Sequence, residues 1–466
     1  MFLHNRTSLS LSRIFLIGFL LFQLVESTYS QYYTRRNSPF SRYGYGDLFT
    51  NYYSSVHGSA GAFASTYSSI WDYSISNPAS LTHIRSTNYD LSVFYKHSIL
   101  NETATQLTAP ANDGNIDYLA IAFPITKSWE IATDTLRRGI PIQWGMGVNL
   151  VPFSTVGYDS RVKRELEDIG SMEYKYAGSG TRYRVNWSNG VAYKGLSVGA
   201  NLGFIFGNIE DRKVITFTDS AFVFGYSERF LTNESAYGFV YDLGLQYDLY
   251  FIKKTDKPDP LKHAKLTFGA TYSGSAPIQL SQSEERIRYG SYYSIDTLLL
   301  GNEVKGEMTL PQNISFGIAI TKSLSWRFGA NFEYQICSQS NNSFKSLSVA
   351  DNYKIALGAE FTPDFLDFSN YLKRIRYRLG GFYGTDARII ELNSNYYQLY
   401  KYGITFGLGL HMKPKKVSAT QILGQIQLAF EYGYMGHPDV ISEQYFQVHL
   451  GFTLNDHSWF RRARFR

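Results

Sequence analysis

Cysteine is nearly missing: Cys337 stands alone among 466 residues, so no disulfide can form within the chain. Long apolar runs are missing as well. Ile14 to Phe22 is an apolar stretch of nine residues, against the roughly 20 that a membrane helix needs. Mean hydropathy is slightly negative, −0.23, which excludes a bundle of transmembrane helices. Charge is sparse and nearly balanced, 45 Lys and Arg against 39 Asp and Glu for a net +6. No basic patch with interleaved aromatics accompanies it, so nucleic acid is not an expected partner. Phosphate-cradling Gly-Lys loops, zinc-protease helices and nucleophile elbows are all missing. The nine histidines are scattered. His97, His411 and His449 fall within or at the ends of strand-like runs and read as hydrogen-bonding wall residues. No Ser–His or acid pair stands out by spacing, so we expect no enzyme, no cofactor and no metal.

What the chain has in quantity is aromatic residues and glycine, with 38 Tyr, 33 Phe and 39 Gly. They are arranged with a period of two. In the last strand-like run Phe446, Val448, Leu450, Phe452 and Leu454 alternate with Gln447, His449, Gly451, Thr453 and Asn455. The run before it sets Ile426, Leu428, Phe430, Tyr432 and Tyr434 against Gln425, Gln427, Ala429, Glu431 and Gly433. Each gives a strand one apolar and one polar face over the roughly 9–11 residues that cross a bilayer when tilted. From Tyr89 onward such runs recur about fourteen times. A soluble sandwich could produce two or three by chance. The reading is therefore an all-β chain, a transmembrane antiparallel up-and-down β-barrel of about 14 strands. Arginine at Leu450 or Phe430 is then expected to be costly and arginine at Gln427 mild.

Four segments follow. Residues 1–30, with Arg6 and Arg13 ahead of the apolar stretch and Thr28 and Ser30 at small-residue positions, read as a cleaved signal peptide. Its loss of two Arg and one Glu lowers the net charge to +5. No cysteine sits at the cleavage site to carry a lipid anchor. Residues 31–87 do not alternate, are rich in Gly, Tyr and Ser, and read as an amino-terminal plug inside the lumen. Residues 88–455 form the outer-membrane barrel, and 456–466 a basic periplasmic tail. Links after even-numbered strands are expected to be the short, periplasmic ones, with exceptions at 124–142 and 362–375, where Phe365 to Tyr371 suggests a short helix. Intervals 207–236 and 273–313 read as long outer loops. Trp129, Trp326, Tyr400, Tyr432 and Tyr434 suit interfacial girdles.

Three motifs together carry a resemblance. Ser38-Pro39-Phe40-Ser41-Arg42-Tyr43-Gly44-Tyr45-Gly46-Asp47 follows the signal peptide, and Asn77-Pro78-Ala79 precedes the first strand. Gly451-Phe452-Thr453-Leu454-Asn455-Asp456, with Trp459-Phe460, ends the barrel. In this layout the chain resembles the long-chain fatty-acid transporter (FadL-type) outer-membrane barrels, closest to the branch that includes accessory barrels of secretion and assembly machines. The resemblance implies a lumen hatch over residues 31–87, with Asn77, Pro78 and Ala79 near the hatch-to-barrel turn. It also implies a kinked third strand beside a lateral exit, for which Pro152 and Gly157 are the candidates. The expected partners are outer-membrane lipid, hydrophobic small molecules, or other outer-membrane or periplasmic proteins. Lumen-facing Arg184, Asp242, Asp248, Arg327, Glu333, Lys354, Glu360, Lys401 and Glu431 depart from a greasy conduit. They read as a polar network that knits the hatch in place. Uptake of small hydrophobic compounds and service as a non-enzymatic subunit of a secretion or assembly machine both remain open.

Overall fold

A computed structural model describes residues 38–50, 52–103, 106–126, 142–166, 170–217, 227–251, 264–290, 295–322, 325–365, 367, 369–392, 394–412, 415–417 and 420–456. The segment read as a signal peptide, Trp129 and the tail beyond Asp456 fall outside them. Fourteen strands make the ring: β1 (Thr87–Glu102), β2 (Thr108–Pro124), β3 (Gln143–Leu166), β4 (Gly170–Tyr193), β5 (Leu196–Phe217), β6 (Ser227–Phe251) and β7 (Ala264–Ser273). Then come β8 (Gln312–Lys322), β9 (Trp326–Ile336), β10 (Asn352–Phe361), β11 (Arg376–Leu392), β12 (Asn395–His411), β13 (Thr420–Gly436) and β14 (Ile441–Asp456). Each pairs antiparallel with its sequence neighbour. Pairing of β1 with β14, from Thr87–Asp456 to Glu102–Ile441, closes the ring. Closure leaves no sheet edge to lipid along that seam.

The alternation read from the sequence sets the faces. On β6 Tyr237, Phe239, Tyr241, Leu243, Leu245 and Tyr247 are exposed, while Val240, Asp242, Gln246 and Asp248 are buried. An exposed apolar face backed by a buried polar one is an inverted soluble sheet, stable only where the outside is hydrocarbon. Rings stack at both rims, Trp326 on Phe361 at 4.0 Å and Tyr402 on Tyr434 at 4.9 Å.

Strands β3 to β6 run for 24, 24, 22 and 25 residues, about twice what a bilayer requires. They project as a sheet from the end opposite the barrel's two termini. Intervals 207–236 and 273–313, expected as loops, are mostly strand: Pro277–Tyr289 continues the pairing of β6 beyond β7 and in turn pairs with Ile295–Leu300 and Val304–Thr309. Near the barrel one face of this projection is covered, with Tyr158, Ile209, Leu280 and Met308 buried; farther out charge replaces alternation, as in the Glu228 pairs with Arg286 (2.7 Å) and Arg288 (3.0 Å). At the end carrying the termini, Lys194 (φ 48°) and Gly195 (φ 88°) make the tight turn between β4 and β5. The expected rule for link lengths also fails at 252–263 and 412–419, besides the two exceptions. In the 362–375 link the helix is a single turn, Tyr371–Arg374, later than expected.

Candidate functional site

The candidate site is the lumen-facing side of the wall, against which the described part of the amino-terminal segment packs. Residues 52–84 carry a core of their own in Tyr52, Tyr53, Val56, Phe63, Tyr67, Tyr73, Ile75, Leu81 and Ile84, which packs on Tyr118, Ala120, Ala122 and Val151 of the wall. Tyr53 meets Tyr73 and Tyr118 edge-on at 5.2 and 4.4 Å. Short hydrogen bonds turn the segment back on itself: Asp72 accepts from Tyr67 (2.7 Å) and Ser55 (3.2 Å), and Ser74 Oγ donates to Ala64 O (2.8 Å).

What lets this segment seat against the wall is a belt of lumen-facing glycines. Gly145, Gly190, Gly199 and Gly244 lie side by side on β3 to β6. Gly269 pairs with Gly317 across β7 and β8, and Gly329, Gly358 and Gly380 align on β9 to β11. Gly407 on β12 and Gly451 on β14 continue the belt. Each meets a backbone or short side chain of the segment: a methyl group on Gly190 would lie 2.6 Å from Pro78 O, and one on Gly358 2.8 Å from Ser59 O. Contact at that range is open only to glycine. The Asn77-Pro78-Ala79 motif occupies one arc. Asn77 caps the short 3-10 helix Pro78–His83, accepting from Ala79 N (3.1 Å) and donating to Ser65 O (2.6 Å) and Leu245 O (3.3 Å). It therefore docks on β4, β5 and β6, away from the junction with β1 where the resemblance set it.

The lumen polar residues divide into groups. Arg184 pairs with Asp242 at 2.5 Å, and Asn201 links Asp242 (3.0 Å) to Ile75 O (3.2 Å) of the segment. Asp248 gathers His83 (2.9 Å), Lys265 (3.1 Å) and Thr267 (2.6 Å). Arg327 donates to Ser68 O (2.6 Å) and lies over the rings of Phe63 and Tyr67. Glu333 accepts from Tyr52 Oη, and Lys354 reaches the same hydroxyl at 3.5 Å. Glu360 pairs with Arg378 at 2.7 Å. Glu431 accepts from Tyr445 (2.7 Å), and Lys401 lies 6.0 Å from the Phe382 ring centroid. Asp242, Asp248, Arg327, Glu333 and Lys354 thus engage the segment, whereas Glu360, Lys401 and Glu431 bind wall to wall. The sequence reading passed over the fully buried Arg378, the pair Arg182–Glu234, and Arg388 between Asp47 and Asp386. Arg182, Arg378 and Arg388 do alternate with apolar neighbours, the only signal that could have found them. Gln427 accepts from Arg378 Nη1 at 2.7 Å and is 1% exposed, so arginine there meets a second guanidinium and is not mild.

Among the described residues the wall has one partial seam. Strands β2 and β3 pair only from Leu119–Leu150 to Pro124–Gly145. Above that point β3 shifts register against β4 between Pro152 and Ser154, leaving Phe153 as a bulge. Residues 41–49 take the place of β2 there. Asp47 and Leu48 pair with Thr155 and Ser154, Phe49 N donates to Phe153 O (3.1 Å), and Gly157 N donates to Ser41 Oγ (3.0 Å). Gly44 and Gly46, at φ 61° and 85°, turn the chain into this position. A polar cavity of about 20 Å³ lies beside it among Arg42, Tyr45, Arg182, Asp211, Glu234 and Lys345, enough for about one water.

A family model described as BamG matches residues 11–466. No curated protein matches the chain. Among solved structures, the chain is similar to a FadL homologue of Pseudomonas aeruginosa, with a TM-score of 0.54 and 11% identity over 88% of this chain and 98% of that one. It is also similar to the Pseudomonas putida toluene transporter TodX (TM-score 0.50, 12% identity, 88% and 99%). The Ralstonia pickettii toluene transporter TbuX gives a TM-score of 0.50 at 11% identity, over 92% and 100%. At these identities the likeness is one of fold, the FadL-type barrel.

Proposed function

The chain belongs to the BamG family, and from its filled lumen we propose that it is a sealed outer-membrane barrel serving as a non-enzymatic structural subunit of a multi-protein outer-membrane assembly machine. The observation that carries this reading is the contact of residues 52–84 with the glycine belt around most of the ring. A conduit for hydrophobic compounds needs a largely apolar pocket of a few hundred Å³. Here the lumen is held by backbone contact and by buried ion pairs, each costing about 3–5 kcal/mol to break. A barrel sealed in this way offers partners its outer surfaces: the lipid-facing wall, the projecting sheet and the two termini. In this reading both termini face the periplasm, and the sheet projects outside the cell. Affinity purification of the tagged protein from native membranes in mild detergent, followed by mass spectrometry, tests it. We expect stoichiometric co-purification of other outer-membrane or periplasmic proteins, and depletion is expected to lower outer-membrane protein levels. A lone barrel, with those levels unchanged on depletion, contradicts it.

The seam between β2 and β3 favours a second reading, uptake of small hydrophobic compounds with lateral exit. In it, Pro152 and Gly157 mark the bent strand and residues 41–49 are the element that must withdraw. Equal uptake of radiolabelled fatty acids and monoaromatics by wild-type and deletion strains contradicts it.

A further inference from the structure

Three buried side chains from three elements meet where the segment touches β2 and β14. His57 ends the short helix Ser54–His57, Asp117 belongs to β2 and His449 to β14. They are 7%, 8% and 1% exposed. One carboxylate oxygen of Asp117 and one ring nitrogen of each histidine lie within 4.8 Å of one another. We propose that they form a divalent transition-metal site, of the Zn²⁺ class, that fastens the amino-terminal segment to the barrel wall.

The backbone gives the first argument. Period two would send Asp117 outward, because Tyr118 beside it faces the lumen. Instead β2 carries a β-bulge: Ser92 pairs with Tyr118 and Val93 with Ile116, leaving Asp117 as the extra residue. Asp117 and Tyr118 are both buried as a result. Bulges re-aim side chains at sites of use.

The nitrogens give the second. His449 Nδ1 bonds Asp117 Oδ2 at 2.5 Å, and Ser92 Oγ donates to the same oxygen at 3.2 Å. That bond fixes the ring and leaves Nε2 of His449 to face inward. The His57 ring stacks on it at 3.9 Å and 18°. Nε2 of His57 and Nε2 of His449 are both buried without a hydrogen-bond partner. A buried polar atom without a partner calls for a water or an ion, and a cation is the one occupant that accepts a lone pair from each of two neighbouring imidazoles. Two imidazoles and a carboxylate suit Zn²⁺ and its neighbours and suit Mg²⁺ or Ca²⁺ poorly. Donors at about 2.0–2.2 Å from a common ion require the two rings to turn out of their stacked, near-parallel arrangement. If Asp117 keeps its bond to His449 it backs that ligand from outside the coordination sphere, an arrangement that orients metal-binding histidines.

The test uses full-length protein isolated from native membranes without chelator. Metal analysis is expected to find about one zinc-class ion per chain. His57→Ala and His449→Ala lose it, and His437→Ala, at a partly buried histidine between β13 and β14, retains it. Wild-type protein refolded with free Zn²⁺ at tenfold its dissociation constant is expected to resist proteolysis within residues 52–84 about tenfold longer than protein refolded with chelator. This second measurement needs no variant and decides the matter if His57→Ala does not fold. Metal content equal to that of the histidine variants, or equal proteolysis with Zn²⁺ and with chelator, overturns the proposal and leaves a metal-free His–Asp pair.

Discussion

The glycine belt makes a prediction with its control on the same strand. On β11, Gly380 faces the lumen and Gly381 faces outward. A methyl group on Gly380 would lie 2.5 Å from Ser59 C, 2.6 Å from Ser59 O and 2.9 Å from Ala60 Cβ. Comfortable carbon contacts begin near 3.5 Å, so Gly380→Ala requires the segment or the wall to shift by about 1 Å. Both are backbone, and the wall is part of a closed ring. On Gly381 the nearest atom to the added methyl would be Gly403 O at 3.6 Å, an ordinary contact. Both substitutions recover the same roughly 0.5–1 kcal/mol of chain entropy, so the difference between them isolates the collision. Overpacking of this kind costs about 1–3 kcal/mol. Gly380→Ala is thus expected to be less stable than Gly381→Ala by that amount in denaturant unfolding of the refolded barrel, followed by tryptophan fluorescence. If the segment yields first, the loss appears as faster proteolysis within residues 52–84. Equal unfolding and equal proteolysis in the two variants would refute the packing described here.

Arginine at Leu450 or Phe430 should cost about 2–4 kcal/mol where these side chains meet mid-bilayer lipid; a cost near zero, measured by unfolding from liposomes, would mean the faces are reversed. Asp248→Ala leaves Lys265 buried without its carboxylate and should cost about 3–5 kcal/mol. Glu228→Ala, which breaks half-exposed pairs on the projecting sheet, should cost less than about 1 kcal/mol in the same titration. Just beyond β9, burial and then the carboxylates of Asp351 and Asp386 push the Cys337 thiol up to about 12. At pH 8 about one molecule in 10⁴ then carries the thiolate. Alkylation of the folded protein should be about a thousandfold slower than that of a free thiol, accelerating tenfold per pH unit; complete labelling within minutes at pH 8 would contradict this.

The barrel was legible because hydrocarbon on one side and a packed lumen on the other impose a period of two. On β14 the reading from Phe446 to Leu454 matches the faces found. The outer parts of β3 to β6 were not legible, because partial exposure on both faces there removes the alternation that separates strand from loop. The bulge at Asp117 was hidden for a related reason, since one extra residue breaks the period where the side chain turns inward. The lumen carboxylates and cations were readable as inward-facing. Their partners were not, because Asp248 meets His83 and Lys265 only after the ring closes and the segment enters. The belt escaped notice altogether: its glycines come about one to a strand, and only lateral pairing brings them into a row.

The account rests on a lumen closed by its own amino-terminal segment. Planar-bilayer recording tests this most directly, comparing full-length protein with a variant lacking residues 52–84. Silent insertion of the full-length barrel and stepwise channels from the deletion variant are the predicted outcome. Steady stepwise conductance from the full-length barrel itself would contradict the account.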